Sequence, residues 1–147
     1  MKGEEKLCAT SLESMVDFSM EKLHARDVIA LSTTADKVCR SQKYTNRSLN
    51  GVQRMKGKRM VVCHAEVYPY AVFYCHATKK TRGYRVRMDG GEDGEVVEAV
   101  VACHMDTAGW NKDHIAFEVL KVKPGSVPIC HFMRGNHVVW GPMESVE

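Results

Sequence analysis

The chain has 147 residues, of which 44% are hydrophobic and 27% charged, a balance that excludes disordered, collagen-like and coiled-coil classes and predicts one folded domain over residues 1–147. The net charge of +3 is confined to the front: Lys and Arg outnumber acids 12 to 7 up to Arg59, while acids outnumber bases 11 to 9 from Met60 onward. The one dense basic cluster, residues 54–59, has no aromatic neighbour on which a base could stack, so it reads as a solvated loop and no nucleic-acid partner is expected. No run approaches the ~18–20 apolar residues of a membrane span, and Met1 is followed by Lys-Gly-Glu-Glu-Lys where a signal peptide would be apolar.

Residues 10–23 are predicted to form an amphipathic helix. Thr10 and Glu13 have capping-box spacing, and Leu12, Met15, Val16, Met20 and Leu23 recur at threes and fours, as a core-facing stripe does. His24 falls on its solvent side and is not a ligand candidate. From residue 28 onward, β-branched or aromatic runs alternate with turn residues: 28–31, 60–64, 71–76, 84–88, 96–104, 115–122, 127–132 and 138–140. The glycine-rich stretch 90–94 is expected to be a hairpin loop, because no helix follows it to make a phosphate site. Lys123-Pro124-Gly125 has type II turn chemistry. The fold class is therefore α+β, mainly β, with antiparallel-rich sheets over about 27–141 and one N-terminal helix.

The sequence repeats a dipeptide: Cys63-His64, Cys75-His76, Cys103-His104 and Cys130-His131, each in or at the end of a β-type run. Side chains alternate across a strand, so a Cys and the His beside it point to opposite faces and do not readily form a nucleophile–base dyad. In register, neighbouring strands would present sulfurs on one face and imidazoles on the other. Four thiols can join as two disulfides, with three pairings open. Four imidazoles can converge on copper, zinc, nickel or iron, and with the thiols oxidised a nitrogen-rich Cu(II) centre becomes attractive. A structural zinc site of thiolates is disfavoured, because none of these cysteines has a partner two to four residues away.

Residues 2–6 (Lys-Gly-Glu-Glu-Lys), 8–15, 68–76, Trp110-Asn111, 120–125 and 137–140, together with the four spaced Cys-His pairs, closely resemble the plant BURP domain over nearly the whole chain. The family domain is longer at its front, so the resemblance implies a chain lacking the N-terminal part of the domain, including a cysteine that would partner Cys8; without it Cys8 is expected to be free unless it pairs with Cys39, which is not a family position. It implies disulfide staples at Cys63, Cys75, Cys103 and Cys130, and copper ligands at His64, His76, His104 and His131. His114 and His137 also stand at family-like positions, and six histidines would suffice for two copper centres of three ligands each.

Some family members are copper-dependent peptide cyclases, which use dioxygen to crosslink a Trp or Tyr side chain to a carbon of a core peptide. Others are non-catalytic secreted modules: a polygalacturonase β subunit, or seed and stress proteins. The resemblance thus implies either an oxidoreductase acting on a peptide, or an extracellular, cell-wall or vacuolar module whose partner is a polysaccharide or an enzyme; a truncated, inactive fragment is the third expectation. Asp106 is a candidate for orienting an imidazole, although a turn or cap is its plainer role. Trp110 and Trp140 are expected to pack rather than react. Asn46-Arg47-Ser48 has the pattern of an N-glycosylation acceptor.

Overall fold

The computed structural model describes residues 3–36, 42–46, 49–90 and 94–143. Along these, strand β1 (Glu5–Ala9) leads into helix α1 (Leu12–Leu23), followed by β2 (Val28–Leu31), β3 (Thr34–Ala35), β4 (Tyr44–Thr45), a single 3-10 turn (Leu49–Gly51) and β5 (Val52–Arg54). Then come β6 (Val61–Ala65), β7 (Phe73–Ala77), β8 (Thr81–Gly90), β9 (Val96–His104), helix α2 (Ile115–Leu120), β10 (Ile129–Phe132) and β11 (Val138–Pro142).

All the pairings are antiparallel, and they build two sheets. The five-stranded sheet runs β1-β7-β6-β11-β2. The six-stranded sheet runs β10-β9-β8-β4, with β3 added on β9 and β5 on β8. Helix α1 covers the outer face of the first sheet, burying Met15 and Phe18 against Ala9, Val61, Cys63, Cys75 and Trp140. The other face of that sheet meets the second sheet across Met60, Val62, Val100, Ala102, Met133 and Val139. The order of layers is thus helix, sheet, sheet.

Helix α1 begins two residues later than its sequence pattern suggests. The capping box is formed by Ser11 and Ser14, with Ser14 N–H donating to Ser11 Oγ at 3.1 Å, and not by Thr10 and Glu13. Leu12 is exposed, and Phe18, outside the predicted stripe, is buried beside Met15 in the core. The helix ends at His24, whose left-handed φ of 53° lets its N–H reach the carbonyls of Met20 and Glu21.

The second correction is residues 115–122, which read as a strand but form α2. Six residues are too few to separate a period of 2 from one of 3.6. What decides is tertiary: Phe117 is buried while Ile115, Val119 and Leu120 stay exposed, and the His114 side chain caps the first turn by accepting from Ala116 N–H at 3.2 Å. The described residues therefore hold two helices, not one. The sulfur chemistry resolves as two disulfides, Cys63–Cys75 and Cys103–Cys130, rather than four Cys-His units.

The short strands β1, β3, β4 and β5 carry too few apolar residues to announce themselves in sequence. Lys123 O accepts from Ser126 N–H at 3.1 Å with Gly125 at φ 76°, which is the turn its Pro-Gly pair predicts. The basic cluster lies in β5 and the loop after it, with Met55 buried beneath. Cys39, Arg47, Ser48 and the centre of the 90–94 loop lie outside the described residues.

Candidate functional site

Two hairpin-like strand pairs, one in each sheet, are built to the same plan. Cys63 on β6 lies directly opposite Cys75 on β7, and Cys103 on β9 directly opposite Cys130 on β10. Alternation along each strand then turns the following histidines to the other face, into the space between the sheets. His64 and His76 come from the first sheet, His104 and His131 from the second. Their ring centroids follow one another at 5.4 Å (His64 to His76), 5.5 Å (His76 to His104), 5.6 Å (His104 to His131) and 5.6 Å (His131 to His64). The four rings close a circuit.

His137, in the turn before β11, joins it edge-on: its Nδ1 lies 3.0 Å from His64 Nδ1. His64 Nε2 in turn lies 3.3 Å from His76 Nε2. Thr81, fully buried on β8, places its hydroxyl 3.4 Å from His104 Nδ1.

Burial removes water from these rings, and crowding by their neighbours penalises a second positive charge, so the imidazoles are held neutral. His64 is pushed down to about 4 by burial and then by His76, His131 and His137. His104 is pushed down to about 3 by burial and then by His76 and His131. Burial also lowers His76, against an opposing pull from Glu4, and lowers His131 and His137. A neutral imidazole keeps a lone pair on one nitrogen, which is the form that ligates metals.

The circuit floors a cavity of about 670 Å³. Tyr74 and Trp110 make aromatic walls, with Trp110 5.2 Å from the His104 ring, and α2 supplies an apolar side through Ile115, Val119 and Leu120. Glu4 and Lys6, paired at 3.0 Å, also line the cavity. The donor chemistry fits a metal with an affinity for nitrogen: neutral imidazoles, a buried His76 Nδ1 with no aligned hydrogen-bond partner, and the cysteines of the pairs consumed as disulfides. The rings meet largely face to face, and among the described residues no group of three or more His, Cys, Asp or Glu side chains is arranged as a ready-made metal set.

The remaining candidates are placed as follows. His114 lines the cavity beside Trp110, at 4.8 Å, but its Nδ1 is engaged in capping α2. Asp106 faces no imidazole; it pairs with Lys80 at 3.1 Å and accepts from Ala108 N–H at 3.3 Å, a surface turn role. Trp140 is core. Cys8 is exposed with a free thiol. His24 contacts Arg59 at the far end of α1. Asn46 follows β4, remote in sequence from every histidine-bearing strand.

Sequence reasoning missed Glu4 and Tyr74. Both follow from alternation once β1 is recognised: Lys6 lies opposite His76 and Cys8 opposite Tyr74, so Glu4, two residues ahead of Lys6, shares the face of these side chains.

The BURP domain family model matches residues 1–142. The chain belongs to the BURP domain family. Among its relatives, BURP domain-containing protein 3 of Oryza sativa subsp. japonica is 54% identical over 143 residues, which is 94% of this chain and 32% of that protein. BURP domain protein RD22 of Arabidopsis thaliana is 52% identical over 139 residues, 94% of this chain and 35% of that protein. BURP domain-containing protein BNM2C of Brassica napus is 35% identical over 146 residues, 95% of this chain and 52% of that protein. This BURP domain chain thus spans about a third of the length of the first two relatives. No helix among its described residues is long and apolar enough to cross a membrane.

Proposed function

We propose that the imidazole circuit of this BURP domain binds copper, and that the cavity above it presents a peptide's Trp or Tyr side chain for oxidative crosslinking. The observation that carries the reading is the convergence of four neutral imidazoles, drawn two from each sheet, on the floor of one cavity. His64, His76, His104 and His131 would hold the metal, with His137 within reach of the same group. When bound, copper supplies the one-electron chemistry with dioxygen that no side chain here can perform.

The chain's own residues do the rest. The disulfides hold the strands in register, so the rings stay together. The apolar side of α2 takes up hydrophobic parts of the peptide, while Tyr74 and Trp110 offer faces for an aromatic ring to pack against and exclude water from it. The balance of the reaction is simple: the peptide loses one hydrogen from the indole N–H or phenol O–H and one from carbon, a new bond closes between them, and dioxygen accepts both hydrogens as peroxide. An oxidising compartment, extracellular, in the cell wall or in the vacuole, suits a protein that depends on two disulfides.

Aerobic incubation of the oxidised protein with Cu(II), a reductant and a Trp- or Tyr-containing peptide tests this. A peptide mass lower by two hydrogens, dependent on copper and lost in His64→Ala with His104→Ala, is the expected result. Full metal loading with an unchanged peptide would favour a non-catalytic module in which the metal and the disulfides serve stability, with a polysaccharide or an enzyme as partner. Absence of metal uptake overturns the copper reading altogether.

A further inference from the structure

Glu4 is a carboxylate in an unexpected place. Its side chain is only 4% exposed, with Oε2 bound by Lys6 Nζ at 3.0 Å and Oε1 3.2 Å from Nδ1 of His76. That Nδ1 is itself buried and without an aligned partner, so a small turn of either side chain makes Glu4 its acceptor. Lys6, directly opposite His76 across β1 and β7, fixes the carboxylate from behind. An ionised carboxylate is an acceptor only.

A neutral imidazole has one N–H and one lone pair, so each nitrogen's role dictates the other's. If His76 donates from Nδ1 to Glu4, its Nε2 carries the lone pair. His64 Nε2, 3.3 Å away, must then be the donor, and His64 Nδ1 the acceptor. His137 Nδ1, 3.0 Å from that atom, must donate in its turn. The reverse order would set the lone pair of His76 Nδ1 against a carboxylate.

We infer that Glu4 is a positioning residue that fixes the tautomers of His76, His64 and His137 in series, through the contacts Glu4–His76–His64–His137. Ligand imidazoles are commonly oriented in this way by a carboxylate on the nitrogen away from the metal. The link to metal rests on the copper reading above; the tautomer order does not.

Long-range 1H–15N correlation on the metal-free, oxidised protein at neutral pH reads each ring directly. The expected result is Nδ1–H at His76, Nε2–H at His64 and Nδ1–H at His137. Glu4→Ala should turn His76 to Nε2–H and disturb the other two, whereas Glu4→Gln, whose amide oxygen still accepts, should keep Nδ1–H; a preserved amide spectrum establishes that both variants fold. His76 protonated at Nε2 in the unsubstituted protein, or Nδ1–H retained in Glu4→Ala, would overturn the assignment. For Cu(II), Glu4→Ala should weaken binding about 10- to 100-fold, with Glu4→Gln between it and the unsubstituted protein. Equal affinity in all three overturns the positioning role toward metal. Should the unsubstituted protein take up no Cu(II), the proposed function fails, while the tautomer measurement decides the series by itself.

Discussion

His64 and His76 are diagonal neighbours, not opposite ones. In the β6–β7 register His64 faces Tyr74 and His76 faces Val62, because it is the cysteines one residue earlier that stand directly across from each other. The same offset recurs between β9 and β10, where His104 faces Ile129 and His131 faces Ala102. Each disulfide thus sets a diagonal imidazole pair on the far side of its own sheet, and the packing of the sheets joins the two pairs into one circuit.

Removing either staple should therefore cost both stability and site. Cys103→Ala with Cys130→Ala opens a loop of sequence separation 27, and Cys63→Ala with Cys75→Ala one of 12. Loop closure puts these at about 3 kcal/mol each, with the second pair also losing the packing of two buried sulfurs against α1. Urea unfolding of the double variants measures the loss, and weaker Cu(II) binding by whichever variant stays folded reports on the circuit. Unchanged midpoints in both variants would remove the disulfides from the account of stability.

The metal-free protein should lose stability on mild acidification. The folded state keeps His64 and His104 neutral down to about 4 and about 3, whereas the unfolded chain protonates them near 6.5. Below that value the unfolded state binds more protons, so stability is full above it and falls as pH drops through this window. Unfolding midpoints measured between neutrality and mild acid should decline before the carboxylates begin to titrate, and His64→Gln with His104→Gln should flatten the slope. A midpoint constant across that range contradicts the burial of neutral rings.

His114 and His137 should behave differently despite similar positions in the sequence pattern. His114→Ala removes the cap of α2, at about 1 kcal/mol, and leaves Cu(II) stoichiometry unchanged. His137→Ala removes a ring in contact with His64 and should weaken metal binding without a comparable loss of stability. Isothermal titration with Cu(II), paired with thermal unfolding, separates the two; the opposite pattern would move the cluster toward α2.

The apolar side of α2 should matter for ligand and little for the fold. Val119 is 68% exposed, so Val119→Asp should change stability by no more than about 0.5 kcal/mol. Binding of an apolar or aromatic peptide to the cavity should fall severalfold, as read by fluorescence of Trp110 or by competition. An unaltered affinity would show that the peptide does not touch this helix.

The sequence by itself determined the parts that rest on local periodicity and count: a mostly β chain with an amphipathic helix near its start, the Pro-Gly turn at 123–126, and the separation of sulfur from imidazole across every Cys-His strand. Those follow from a side-chain period of two and need no knowledge of neighbours. Only the tertiary structure decided which cysteine meets which, since three pairings share one pattern, and that the two imidazole pairs belong to a single circuit, since this depends on how the sheets stack. It also decided that residues 115–120 wind as a helix around buried Phe117, and that Glu4, an ordinary charged residue near the chain's start, is brought by the pairing of β1 with β7 against the ring of His76.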